Sequence, residues 1–165
     1  MPLPTPAPQP NPETQAFWDA TAEGRLVLPR CDDCGTVIWY PKLLCPSCHS
    51  TNVSWFDATG HGTVYSFTIC HRAAHAYRDA LPYVIAYVEL DEGPRVLTNI
   101  VECEPDAVRI GQPVEVVFHD TGEGNALYRF RPVPDKPARN LGATPKGGQT
   151  WTTSSGWSRS RRSGS

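Results

Sequence analysis

The stretch "CDDCGTVIWYPKLLCPSC", Cys31 to Cys48, carries two Cys-x-x-Cys pairs separated by ten residues. Zn²⁺ takes four soft or borderline ligands in a tetrahedron, and each such pair presents two sulfurs from one tight knuckle. Gly35, just after the first pair, and Pro46, inside the second, suit the sharp backbone this requires. Cys31, Cys34, Cys45 and Cys48 therefore read as ligands of one structural zinc ion. A saturated tetrathiolate centre has no open coordination position, so it shapes the chain and does not activate water. The second pair continues as "CPSCH", a haem-attachment pattern. That reading leaves Cys31 and Cys34 without a purpose and offers no axial methionine beyond Met1. A redox dithiol is the other alternative, and two matched pairs favour a shared metal. His49 is then a surface residue beside its knuckle, and Cys70 and Cys103 are buried structural thiols.

On the N-terminal side, "MPLPTPAPQPNP" places proline at every even position from Pro2 to Pro12. Residues 1–11 read as a polyproline-II linker to an upstream domain, or as a floppy terminus. Asn11-Pro12-Glu13 is a helix start, with a capping residue, proline at the first helical position and an acid in the first turn. A helix over 12–24 follows, ending at Gly24, with Phe17 and Trp18 on an apolar face. It is too short to stand alone, so that face must rest on something. "RLVLPRC" reads as a strand delivering Cys31, within a zinc ribbon over 25–52.

On the C-terminal side come short β-type runs: 53–58, 62–71, 83–90, 95–101, 114–118 and 127–131. Glycine-rich turn signals separate them. In "YVIAYVEL" both alternating faces are apolar, as in a barrel strand. The fold class is mainly β: N-terminal helix, zinc ribbon, then a five- to six-stranded OB-type barrel over 53–133, with a β-sandwich as the alternative. Residues 134–165 read as a disordered basic tail.

Net charge is −2, but six basic residues beyond Pro132 face only Asp135, leaving −7 on residues 1–131. A four-thiolate zinc site, which the formal count treats as neutral cysteines, makes that about −9. Phosphate binding draws on Lys and Arg clusters. The body has nine basic against sixteen acidic residues. Trp39, Tyr40, Trp55 and Phe56 offer stacking surfaces, but nucleic acid, including a single strand, is the less favoured ligand. No apolar run reaches the ~20 residues of a membrane helix, and no basic-then-apolar leader opens the chain. The expected location is the cytoplasm, with thiols reduced.

"ICHRAAHAYRDALPY", Ile69 to Tyr83, is the one polar, His-rich segment between strands. Arg72, His75 and Arg78 are candidate contacts for a phosphorylated ligand such as CoA, since guanidinium forks fit phosphate oxygens. The alternative is a solvated loop with arginine paired to Asp79. No nucleophile–base pattern, glycine-rich phosphate loop or carboxylate pair is present, so no catalytic residue is assigned.

The order "AFWDATAEGRLVLPRCDDCGTVIWYPKLLCPSC", then "GTVYSFTI", "PYVIAYVELDEGPRVLTNIV" and "RIGQPVEVVF", resembles the family once labelled domain of unknown function 35. The resemblance covers about Thr14 to Val133 and implies a helix, a rubredoxin-like zinc ribbon and an OB-fold. It also implies a non-catalytic partner of thiolase-like enzymes of acyl-CoA metabolism, sometimes bridging to a second enzyme. One similar branch is the C-terminal domain of actinobacterial steroid enoyl-CoA hydratase subunits, which follows a hot-dog-fold domain and pairs with a thiolase-like aldolase. Such an aldolase cleaves a steroid side-chain CoA thioester by retro-aldol chemistry, releasing propionyl-CoA. The expected assembly is a hetero-oligomer, a heterotetramer, that meets acyl-CoA through the complex. Residue carry-over stops at the four cysteines. The docking face is read as Phe17, Trp18, Trp39 and Tyr40 with the ribbon edge. The alternative is a stand-alone acyl-CoA binder using Arg72 and Arg78.

Overall fold

The side chain of Asn11 starts the first ordered turn, its Oδ1 accepting the N–H groups of Glu13 at 3.1 Å and Thr14 at 3.0 Å. In this computed structural model, which describes residues 2–134, the helix proper, α1, spans Gln15–Ala22. It is shorter than the expected 12–24 because Pro12 to Thr14 form that capping turn. Gly24 closes it, with its N–H and that of Arg25 on the carbonyls of Thr21 and Ala20. Phe17, Trp18, Ala20 and Thr21 form its buried face.

Strands β1 (Val27–Cys31) and β2 (Val53–Asp57) pair antiparallel, with Cys31 opposite Val53. The run at Val53, expected in the barrel, therefore belongs to the ribbon. Between these strands the cysteine knuckles are inserted, tied back by Ile38 N–H to the Pro29 carbonyl at 2.8 Å.

Five strands close the barrel: β3 (His61–Cys70), β4 (Tyr83–Leu90), β5 (Arg95–Ile100), β6 (Pro113–Asp120) and β7 (Ala126–Pro132). The order around it is β3-β4-β5-β7-β6, and β6 returns to β3. All pairings are antiparallel except the single parallel step Ile100↔Phe130. This five-stranded closure is the OB arrangement, and the β-sandwich is set aside. β3 reaches both neighbours at Gly62, which faces Leu90 on one side and Val114 on the other. A Cβ there would stand 2.5 Å from the Glu89 carbonyl oxygen, so only glycine fits that close approach.

Along β4, Val84, Ala86, Val88 and Leu90 point inward while Tyr83, Ile85 and Tyr87 line the outside, matching the period-2 reading. Val64, Val96, Ile100, Val108, Val114 and Phe130 complete the interior. The same cluster continues into Phe17, Trp18 and Leu26 to Leu28. Helix, ribbon strand and barrel thus share one apolar core.

The proline-rich start, read from the sequence as a linker to an upstream domain or a floppy terminus, lies against the barrel. Leu3 and Pro4 give their carbonyl oxygens to the guanidinium of Arg129 on β7. The expected basic tail falls, past Pro134, outside the described residues. No helix among the described residues is long and apolar enough to cross a membrane.

Candidate metal centre and docking surface

The two knuckles repeat one backbone pattern. In the first, the Gly35 N–H donates to the Cys31 carbonyl at 2.8 Å and the Cys31 N–H to the Thr36 carbonyl at 2.9 Å. In the second, His49 N–H reaches the Cys45 carbonyl at 2.9 Å and Cys45 N–H the Ser50 carbonyl at 2.9 Å. Each requires a left-handed residue directly after its second cysteine, and φ is +73° at Gly35 and +61° at His49. Glycine takes that conformation freely, while histidine is strained there. His49 is exposed and serves the turn, which accounts for the "CPSCH" string without a haem. His49→Gly is expected to raise stability by about 0.5–1 kcal/mol, net of glycine's greater unfolded-chain entropy. Thermal melting of the zinc-loaded chain would read this as a higher midpoint.

The four sulfurs all lie within 4.8 Å of one another. Cys31 Sγ is 3.5 Å from Cys48 Sγ, and Cys34 Sγ is 3.6 Å from Cys45 Sγ. Four sulfurs at about 2.3 Å from a central ion stand roughly 3.8 Å apart, so the arrangement fits tetrahedral Zn²⁺. Cys31 and Cys45 are buried, whereas Cys34 and Cys48 face solvent. The thiols influence one another strongly. The hydroxyl and backbone of Thr36 pull Cys34 down to about 6. Cys48, although the Ser50 backbone favours its thiolate, is pushed up to about 12 by the crowding of Cys31 and Cys34. Four thiols this close resist full ionisation until a cation shares their charge. The outer shell is braced by carboxylates that make no claim on the ion. Asp33 takes hydrogen bonds from Ser50 and from Asn52 at 3.2 Å, which lower its pKa, and Asp32 accepts from Ser54 Oγ at 2.6 Å.

Above this centre, five aromatic rings join the three parts. Phe17 sits edge-on to Trp18, Trp39, Tyr40 and Tyr128, with centroid separations of 4.9, 5.5, 6.3 and 5.6 Å. The Trp18 indole N–H donates to the Tyr40 hydroxyl at 3.0 Å. Burial, then the Tyr40 phenol nearby, drives the Tyr128 pKa well above its ordinary value. Phe17 and Trp18, expected on a docking face, are therefore spent internally, at 0% and 7% exposure. Trp39 is half-buried in the same joint. Of the four docking candidates only Tyr40 stays open, at 41%.

Beside Tyr40 the ribbon presents two residues the sequence reading passed over. Leu43 and Leu44, between the knuckles, are 54% and 47% exposed. The signal was available as "KLL" in a segment too short for its own core. A second apolar spot lies on the outside of the barrel, where Tyr87 faces Leu97 across β4 and β5, both exposed.

The His/Arg segment forms a 3₁₀ helix over His75–Ala80. Arg72, His75 and Arg78 are all exposed, and no Arg72–Asp79 or Arg78–Asp79 ion pair forms. The structure does not bring these three residues to the metal centre or into the apolar joint. Cys70 and Cys103, expected buried, are half-buried.

Two family models match the chain: the ChsH2 rubredoxin-like zinc ribbon domain over residues 18–54 and the ChsH2 C-terminal OB-fold domain over residues 55–119. A probable enoyl-CoA hydratase alpha subunit of Thermomonospora curvata is 40% identical over 72% of this chain and 37% of that protein. The chain thus spans little more than a third of that relative's length. A DUF35 domain-containing scaffold protein of Methanocaldococcus jannaschii is 36% identical over 66% of this chain and 82% of that protein. The benzoylsuccinyl-CoA thiolase subunit BbsA of Geobacter metallireducens is 32% identical over 63% of this chain and 72% of that protein. Among solved structures, the Ltp2-ChsH2(DUF35) aldolase superposes with a TM-score of 0.70 at 36% identity, covering 76% of this chain and 98% of that one. With the four-cysteine ribbon, the five-stranded barrel and these likenesses together, the chain belongs to the DUF35 family of zinc-ribbon and OB-fold proteins.

Proposed function

We propose that this chain is a non-catalytic, zinc-clasped subunit that docks on a thiolase-like aldolase acting on acyl-CoA. The reaction proposed for that complex is retro-aldol cleavage of a steroid side-chain CoA thioester, with release of propionyl-CoA. The partner supplies the acid and base groups. In this reading the chain supplies a docking face and a wall of the acyl-CoA channel, with Arg72, His75 and Arg78 as the proposed contacts for the CoA phosphates. The observation that carries the proposal is the exposed Tyr40, Leu43 and Leu44 edge on a metal-braced ribbon. Exposed large apolar side chains mark interaction sites, and tyrosine is among the residue types enriched at interface hot spots. The chemistry of the chain agrees: among the described residues, the cluster of His, Cys, Asp and Glu side chains able to hold a metal is the four-cysteine set, which leaves no open position for a reaction. The names of the relatives, a scaffold protein, a thiolase subunit and an aldolase complex, support the same reading.

The experiment is a double substitution, Leu43→Asp with Leu44→Asp. Burying two carboxylates in an apolar interface should weaken association about 100-fold or more. Zinc content and melting temperature should stay as in the parent chain, because neither side chain is in the core. Co-elution with the thiolase-like subunit measures the effect. Undiminished binding by the folded double variant would remove this edge from the interface.

A further inference from the structure

Arg129 is a buried cation with no counter-charge among the described residues. It is 2% exposed, and its guanidinium donates to the backbone carbonyls of Leu3, at 3.3 Å, and Pro4, and to His119 Nδ1 at 3.5 Å. No carboxylate within ion-pair distance of it is found among the described residues. A guanidinium cannot shed its proton to escape this, although burial lowers its pKa. A buried charge held only by neutral acceptors, here two carbonyls and an imidazole nitrogen, is an expensive arrangement unless a negative group completes it.

Arg129 lines a cleft of about 420 Å³ at one end of the barrel. Pro82, Val84 and Ile100 give it apolar walls, and Leu3 of the proline-rich strap covers it. His119 stands on the same lining. Its Nδ1 accepts from Arg129, so a neutral ring carries its proton on Nε2 as one more donor. Burial, then the neighbouring Arg129 charge, keeps that ring neutral to lower pH than usual, against the opposing influence of Glu102.

We infer that this cleft is a binding site for a small amphipathic carboxylate, whose head pairs with Arg129 and whose chain lies on the apolar wall. In this structure the Leu3 and Pro4 carbonyls fill the head-group position. A carboxylate makes a bidentate, charge-assisted pair with guanidinium, roughly twice as strong as bonds to neutral acceptors. It therefore displaces the strap. The surrounding charges select a single-charge ligand. Glu102 and Glu104 stand on the cleft lining, and Glu102 is already paired with Arg131 at 3.0 Å. A polyphosphate would bring several negative charges against these acids, whereas a carboxylate brings one, which the guanidinium balances. The site is separate from Arg72, His75 and Arg78, none of which lines it.

The test titrates hexanoate, and separately inorganic phosphate, into the zinc-loaded full chain and into the same chain lacking residues 2–5. Arginine Nε–H resonances report occupancy. Saturable hexanoate binding is expected, tightened about tenfold or more by the deletion because the competing carbonyls are gone. Arg129→Lys, followed through the His119 ring resonances, keeps the buried charge but not the fork, so the fold should survive and binding should weaken about tenfold. Absence of saturable hexanoate binding to the shortened, folded chain would overturn the assignment. So would inorganic phosphate binding as tightly as hexanoate.

Discussion

Cys45→Ser is expected to abolish stoichiometric zinc retention and to lower the melting temperature by about 15 °C or more. Cys45 is fully buried, at 0% exposure, and with Cys31 it anchors the small inner core that also holds Ile38. A ribbon of this size has too little apolar burial to hold itself, and structural zinc contributes about 10–16 kcal/mol in zinc-finger peptides at neutral pH. Serine removes one thiolate and leaves a three-sulfur site that holds the ion far less tightly. The barrel ladders do not pass through the ribbon, so far-ultraviolet dichroism should retain its β signal while the near-ultraviolet signal of Trp39 and Tyr40 collapses. Metal content by atomic emission and melting by calorimetry check both halves. Acidification should act in the same direction. The ligands bind as thiolates, so affinity falls as pH falls.

Phe17→Ala is expected to cost about 3–5 kcal/mol, since the ring is wholly buried and leaves a cavity among four other rings. The loss falls on the joint between α1, ribbon and barrel. Zinc should remain bound, because the buried ligands Cys31 and Cys45 sit in a separate core cluster, and the difference from Cys45→Ser lies there. Denaturant unfolding of the zinc-loaded variant measures the cost. A change below about 1 kcal/mol would mean that the three parts do not depend on this joint.

The cysteine spacing was legible because metal knuckles are local: every constraint lies within a few residues, including the left-handed position filled by Gly35. The inward alternation of β4 was legible for the same reason, since period 2 needs no knowledge of the partner strand. What failed was non-local. Val53–Asp57 carries the composition of a barrel strand, and only its pairing with Val27–Cys31 assigns it to the ribbon. Phe17 and Trp18 make a helix face apolar whether it meets the chain's own barrel or another polypeptide, so the sequence cannot choose between them. Leu43 and Leu44 show the converse, being ordinary apolar residues whose exposure is decided by where the knuckles leave them. Arg129 was invisible as well. Nothing in "LYRFR" distinguishes it from Arg131, which is ion-paired near the surface with Glu102 and Glu115.

The role proposed for this chain is to shape and complete an aldolase without performing the chemistry. The most direct measurement is turnover of a steroid side-chain CoA thioester, followed as propionyl-CoA released, by the thiolase-like subunit alone, by this chain alone and by the two together. The account predicts release from the pair, none from this chain alone, and a loss of the pair's activity when Leu43 and Leu44 are replaced by aspartate. Release by the isolated chain, or equal release by the partner without it, would contradict the account.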